Sequence, residues 1–333
     1  MTGVRTLEVA GDEGELRLDR WFHRHFPGLG HGRLEKLLRT GQVRVDGARA
    51  KGSTRLAAGM RIRVPPLDDD AETAKPREGR PGPVARRDER AIAEIMALVI
   101  HRDDDVLAIN KPPGLAVQGG TGLTKHLDAM LDDLRFGARE RPRLVHRLDR
   151  DTSGVLVLGR NAAAAAKLAA AFRGRSARKI YWALVVGVPR PRQGRITLDL
   201  AKTATAHGER VAPGEDKKEA RHAVTDYAVL NSAGDKVAWL ALRPLTGRTH
   251  QLRVHCAEGL HTPILGDGKY AGRSAFLAGA PQQARTLHLH ARSLEIPHPK
   301  GGTLRLVADL PPSLAATWKF FGFAPGDAFD PFD

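Results

Sequence analysis

Apolar residues near the N-terminus first recur at helical spacing and then alternate as in strands. The residues at helical spacing are Leu18, Trp21, Phe22, Leu34, Leu37 and Leu38. After Gly41 every second residue is apolar, and a turn is predicted at Asp46-Gly47. The order helix, helix, strand, turn, strand predicts a small domain over residues 14–66.

A second pattern begins near Ile95, where short apolar runs dominate the chain. These runs are predicted strands at 98–100, 106–109, 155–158, 180–186 and 237–242. The alanine-rich segment from Asn161 to Arg173 predicts a helix capped by Asn161, and Pro311 to Phe321 predicts another. We expect an α+β catalytic domain over residues 93–325. Residues 67–92, rich in proline and glycine, are interpreted as a linker.

Charge adds a candidate partner to this picture. The chain has 53 Lys plus Arg and 38 Asp plus Glu, a net charge of +15. Twelve basic and three acidic residues lie between Leu16 and Pro65. Arg33, Lys36 and Arg39 share one side of the second predicted helix. This favours RNA as partner over the alternative, a solvated helix face on a structural domain.

The remaining composition predicts a cytoplasmic protein. Cys256 is the one cysteine, so an internal disulfide is excluded. Residues 1–10 lack the apolar core of a signal peptide, and no stretch reaches the roughly 18 to 20 apolar residues of a membrane span. We expect no membrane partner, and a monomer is the default expectation.

Two polar runs carry the candidate chemistry. Residues 146–154, His-Arg-Leu-Asp-Arg-Asp-Thr-Ser-Gly, precede a predicted strand. Residues 246–255, Thr-Gly-Arg-Thr-His-Gln-Leu-Arg-Val-His, follow another. Polar side chains at strand ends can converge on one cleft. The sequence therefore predicts a site formed by both runs.

The first run, with the apolar strand after it, resembles the signature of the RluA/RluC/RluD family of pseudouridine synthases. Other elements similar to the family follow in its order: Asn110-Lys111-Pro112-Pro113-Gly114, Lys179-Ile180-Tyr181, residues 246–255, Pro263 to Asp267, Leu289-His290-Ala291 and His298-Pro299. The helices and strands of 14–66 resemble the alpha-L RNA-binding motif. The resemblance implies a mixed, largely antiparallel sheet and conversion of uridine to pseudouridine in RNA, without a cofactor.

The resemblance also implies a role for individual residues. It makes Asp149 the catalytic carboxylate, Arg253 its ion-pair partner and Tyr181 the ring that stacks on uracil. Reaching a uridine in a helix requires extruding it, and Arg147 would fill the vacated place. The remaining implied base or phosphate contacts are Leu252, Arg150, Arg248, Lys179, Arg33, Lys36 and Arg39. Whether Asp149 adds to the base or acts on the ribose stays open, and we favour proton abstraction through a glycal.

The substrate branch is also suggested by resemblance. The alpha-L motif and residues 117–123 resemble the synthase C branch, which acts on large-subunit rRNA, although Gln118 stands where that branch has histidine. Two alternatives remain: the same chemistry on tRNA or other rRNA uridines, and a non-catalytic RNA-binding assembly factor.

The residue patterns do not fit three other kinds of site: a metal site, a phosphate-binding loop and a serine hydrolase elbow. His288, His290 and His298 have no cysteine or carboxylate at metal-ligand spacing. The glycines of 119–122 lack the Gly-Lys-Ser/Thr ending of a phosphate loop. Ser153 lacks the flanking glycines of a hydrolase elbow. We therefore predict no metal site.

Overall fold

The computed structural model describes residues 3–67, 89–119, 125–205, 208–214, 220–327 and 330–332. The chain divides into two compact units, Met1–Arg87 and Asp88–Asp333. Residues 68–88, most of the predicted linker, lie outside the described residues, as do Gly120, Gly122 and the end of the 117–123 run. The two units are taken separately below.

The first unit pairs two helices with a small sheet. Its helices are α1 (Leu18–His25) and α2 (His31–Arg39), and its strands are β1 (Arg5–Glu8), β2 (Arg44–Val45), β3 (Ala48–Arg49) and β4 (Arg61–Val64). The sheet order is β1-β4-β2-β3, and every neighbouring pair is antiparallel. Strand β1 precedes the predicted start at residue 14, because its exposed residues gave no apolar alternation.

The core of the first unit explains its helix placement. Trp21, Phe22 and Ile62 are buried on the apolar side that the periodicity predicted. Glu13 is also buried and accepts a hydrogen bond from the Trp21 ring nitrogen at 2.8 Å. Burial alone would raise the pKa of Glu13, but hydrogen bonds from His25 and Trp21 outweigh it and lower that pKa. This buried carboxylate ties helix α1 to the preceding turn.

In the described part of the second unit, eleven strands form one mixed sheet. They are β5 (Val99–Arg102), β6 (Val106–Lys111), β7 (Arg143–Leu144), β8 (Ser153–Gly159), β9 (Arg178–Val186), β10 (Gln193–Thr205), β11 (Gly208–Pro213), β12 (Arg221–Ala233), β13 (Val237–Pro244), β14 (Leu289–Pro297) and β15 (Thr303–Val307). The order is β11-β10-β12-β13-β9-β14-β8-β6-β5, with β15 beside β14 and β7 beside β8. The β8–β14 pair is parallel and the others are antiparallel, which confirms the predicted fold class.

Helices cover this sheet. They are α3 (Glu89–Met96), α4 (Leu127–Met130), α5 (Ala162–Arg173), α6 (Gln251–Val254), α7 (Gly268–Ala271) and α8 (Pro312–Phe320). Helix α5 begins as predicted, with the Asn161 side chain accepting from the Ala164 amide. Helix α3 begins at Glu89, so the last four residues of the predicted linker, 89–92, belong to this helix. Its buried Ile95 belongs to the same core cluster as Leu127 and Leu131, a long-range association that local composition does not reveal.

One glycine fixes how the site joins the sheet. Gly154 has φ +111°, and a Cβ there would lie 2.2 Å from the carbonyl oxygen of Ala291. Strands β8 and β14 therefore approach this closely only with glycine at 154. Ser153 beside it contacts the His290 ring at 2.9 Å. The polar loop 146–152 is thus anchored at the start of a central strand.

Candidate active site

The two polar runs meet in one cleft, as the sequence predicted. Loop 146–152 enters strand β8, and loop 245–250 leaves strand β13 and leads into helix α6. The cleft has a volume of about 330 Å³. The predicted site residues that line it are Arg147, Asp149, Lys179, Tyr181, Arg248, Leu252 and Arg253.

Asp149 is partly buried, and its loop is held by buried neighbours. The adjacent Leu148 belongs to the core, and the Thr152 amide donates to the Asp149 carbonyl at 3.2 Å. The side chain of Asp149 itself is 21% exposed. The carboxylate thus faces the cleft from a loop whose backbone is fixed.

Lys111 fastens this loop from below. Its buried ammonium donates to the carbonyl oxygens of Pro112, Leu115 and Arg150, each at 2.9 Å. Burial lowers the pKa of Lys111 to about 8, although the charges of Asp151 and Asp149 oppose this shift. Lys111 therefore braces the loop that carries Asp149.

Arg253 does not form the predicted ion pair with Asp149. Its guanidinium instead donates two hydrogen bonds to buried Asp267, at 2.8 and 2.6 Å. Burial alone would lower the pKa of Arg253, but the bonds to Asp267 and the charge of Asp149 raise it. Arg253 therefore supplies positive charge to the cleft while another carboxylate fixes its geometry. Asp267 lies in the element Pro263 to Asp267, which is part of the family resemblance. The sequence predicted no role for Asp267.

The His250 side chain approaches Asp149. Its Nε2 lies 3.8 Å from Oδ2 of Asp149, and its Nδ1 lies 2.6 Å from the Tyr270 hydroxyl. Burial lowers the pKa of His250 despite the opposing charge of Asp149, which favours a neutral ring. If the hydroxyl donates to Nδ1, the Nε2 proton points toward Asp149. His250 also has φ +53°, a left-handed conformation uncommon outside glycine.

Tyr181 and Lys179 approach from strand β9. Tyr181 is paired in the sheet with Leu242 and Ala291, and its ring borders the cleft. Burial, with a contribution from the charge of Asp149, raises the pKa of Tyr181, so it remains a neutral phenol. Burial lowers the pKa of Lys179. With buried Leu252, Tyr181 gives the cleft an apolar side suited to a flat, uncharged base.

Gln251 holds the second loop in place. Its side-chain oxygen accepts from the Thr246 hydroxyl at 2.7 Å and from the Arg248 amide at 3.0 Å. Its side-chain nitrogen donates to the Val224 carbonyl at 2.9 Å and to the Thr225 hydroxyl at 2.9 Å. A buried amide with all of these bonds fixes the loop on strand β12.

Four predicted RNA contacts lie elsewhere. Arg150 bonds its neighbour Asp151 at 3.1 Å and lines a separate cavity of about 450 Å³. It does not border the cleft, because the turn after Asp149 sends consecutive side chains to different sides. The predicted phosphate ligands Arg33, Lys36 and Arg39 are exposed on α2 in the first unit.

Two kinds of site were sought in the part of the chain that the structure describes. That part contains no group of three or more histidine, cysteine, aspartate or glutamate side chains placed to hold a metal ion. None of its helices has the length and apolar character needed to cross a membrane.

The chain is similar to known proteins in sequence and in fold. Residues 105–258 match the family described as RNA pseudouridylate synthase. Mitochondrial RNA pseudouridine synthase 4 of Arabidopsis thaliana is 34% identical, over 88% of this chain and 73% of the relative. Ribosomal large subunit pseudouridine synthase C of Vibrio vulnificus is 32% identical over 90% of both chains. The solved structure of human RNA pseudouridylate synthase domain containing 4 has a TM-score of 0.60 and 31% identity, covering 70% of this chain and 96% of the other.

The fold and the carboxylate cleft, with these matches, define an isomerase that acts on RNA. The chain belongs to the RluA/RluC/RluD family of pseudouridine synthases and within it is RluC-like. The predicted family and activity are therefore confirmed.

Proposed function

We propose that this synthase modifies uridines of large-subunit rRNA and that Asp149 is its catalytic carboxylate. The observation that carries the proposal is the position of Asp149 in a cleft with an apolar side, beside Tyr181 and within 3.8 Å of His250. Similarity to a large-subunit synthase over 90% of both chains supports the choice of substrate.

The target nucleotide must leave its stack before it can enter the cleft. Unstacking costs a few kcal/mol, which binding has to offset. Arg147 is exposed at the cleft and forms no ion pair with any residue that the structure describes. We propose that its guanidinium takes the place of the extruded base, and that Tyr181 and Leu252 hold the uracil.

In the proposed reaction, Asp149 removes the proton from C2′ as the bond between C1′ and N1 breaks. The uracil leaves as an anion and the ribose becomes a glycal. After the uracil turns, its C5 bonds to C1′ and Asp149 returns the proton to C2′. Loss of the proton from C5 and gain of one at N1 complete the isomerisation, so atoms and charge balance. Asp149 must be ionised at the start, and the guanidinium of Arg253 lines the same cleft.

The test is to incubate the protein with unmodified large-subunit rRNA and, separately, with tRNA, and to map pseudouridine by carbodiimide-stop primer extension. We expect product on the rRNA with the wild-type protein and none with Asp149→Asn. The matched control is Asp151→Asn, the same chemical change two residues away on a side chain that bonds Arg150. This control should retain activity.

Each other result is informative. Product on tRNA alone would overturn the substrate and leave the chemistry intact. Full activity in Asp149→Asn would overturn the catalytic assignment. RNA binding without product on either RNA would support a non-catalytic assembly factor.

We also propose that the first unit is an alpha-L module that binds RNA phosphates. The exposed Arg33, Lys36 and Arg39 on one helix support this, together with the basic excess of the segment. Such contacts position the enzyme without reading sequence.

A further inference from the structure

A second concavity continues from the catalytic cleft. It has a volume of about 860 Å³ and shares Phe172, Lys179, Thr246 and Arg248 with the cleft. We call it the basic groove, because its lining includes six arginines: Arg173, Arg175, Arg178, Arg195, Arg243 and Arg248. The groove lies entirely within the second unit.

The positive charge of the groove exceeds the negative charge beside it. Arg195 and Arg243 share one carboxylate, that of Asp226, at 2.6 and 2.8 Å. Arg173 and Arg175 are exposed and form no ion pair with any residue in the described ranges. An excess of guanidinium groups in a concave surface favours a polyanion.

The backbone at Arg175 provides an independent observation. Helix α5 ends at Arg173 and is capped by Gly174. The Gly174 amide donates to the Ala170 carbonyl at 2.8 Å, and the Ser176 amide donates to the Ala171 carbonyl at 3.2 Å. Arg175 lies between them with φ +61°, at the position where helices commonly have glycine. A residue with a side chain is strained there, because the left-handed conformation brings its Cβ close to the following carbonyl oxygen. A strained arginine beside a cleft suggests that its side chain has a function.

We propose that the basic groove binds the sugar-phosphate backbone of the RNA strand on one side of the target uridine. Arg173, Arg175 and Arg248 contact the phosphates. This inference rests on the proposed function, in which an RNA uridine occupies the cleft. It identifies the groove as the path by which one flank of that strand leaves the cleft.

Arg175→Gly tests the proposal, because it removes the charge and relieves the strain together. RNA affinity is measured against salt concentration on an unmodified large-subunit rRNA fragment, with the full chain. The slope of log affinity against log salt should become shallower by about 0.7 for one lost contact to a single strand. The midpoint of urea unfolding should not fall. Arg175→Lys should keep most of the slope.

Arg305→Gln is the control for a general loss of charge. Arg305 is 77% exposed, bonds Glu295 and borders neither the cleft nor the groove. This control should retain the wild-type slope. An Arg175→Gly slope equal to that of wild type would overturn the groove as a phosphate site. So would an equal change in Arg305→Gln.

A second measurement assigns the flank. The fragment is shortened on the 5′ or the 3′ side of the uridine that the wild-type enzyme modifies. The affinity loss of Arg175→Gly should vanish with one shortened RNA and persist with the other, a non-additivity that reports direct contact. An equal loss on both would contradict a path on one side. The salt titration measures RNA affinity and does not depend on pseudouridine formation. Failure of the proposed function would therefore be seen separately, as the absence of pseudouridine.

Discussion

Replacing Asp267 with asparagine should lower the free energy of unfolding of the second unit strongly, although the two side chains are nearly the same in size and shape. The Asp267 side chain is 1% exposed, and that of its partner Arg253 is 9% exposed. Two hydrogen bonds hold the pair, so the variant leaves a buried guanidinium without its anion. Removing one partner of a buried ion pair costs about 3 to 5 kcal/mol. Since an asparagine oxygen can still accept one bond, we expect about 3 kcal/mol.

A matched pair on the surface gives the comparison. Arg292 donates to Asp309 at 2.9 Å, but the Asp309 side chain is 95% exposed. Surface pairs contribute roughly 0 to 1 kcal/mol, so Asp309→Asn should lie within that range. Both changes replace aspartate with asparagine opposite an arginine. The difference between the two losses in unfolding free energy therefore measures the effect of burial.

Urea titration followed by tryptophan fluorescence is the assay. Trp182, Trp239 and Trp318 belong to one core cluster of the second unit and report its unfolding. A loss below about 1 kcal/mol in Asp267→Asn would refute the reasoning, because the guanidinium would then be hydrated or paired elsewhere. The double variant Asp267→Asn with Arg253→Met should regain part of the loss, since it removes the unpaired charge.

Two further predictions concern catalysis and RNA binding. Tyr270→Phe removes the hydroxyl 2.6 Å from His250, which orients that ring toward Asp149. We expect kcat to fall about tenfold, the effect of roughly 1.4 kcal/mol, with KM for RNA unchanged because Tyr270 does not line the cleft. Steady-state pseudouridine formation checks this, and a raised KM at constant kcat would contradict it. Deleting residues 16–65 should weaken RNA binding and flatten its salt dependence in filter-binding titrations. Unchanged affinity would exclude the phosphate-binding role of α2.

The sequence was most informative where chemistry and periodicity are local. Polar runs beside predicted strands placed Asp149 and Arg253 in one cleft, and Asn161 marked the start of α5. The partners of these residues were harder to predict. Asp267 and Tyr270 reach Arg253 and His250 through tertiary packing, which no periodicity encodes. Arg150, whose contact with RNA stays a prediction, lines another cavity for a related reason: adjacency to Asp149 in the chain does not determine the side to which a turn directs the next residue.

The close approach of β8 and β14 at Gly154 has a consequence for the order in which the enzyme forms. Ser153 and His290 are 137 positions apart in the chain. During synthesis the loop bearing Asp149 leaves the ribosome long before the strand that anchors it. Closing so long a segment is slow, and central strands that pair late leave apolar edges exposed. The nascent chain should therefore have no activity until β14 has emerged, and a chain cut before that strand should lose the centre of its sheet.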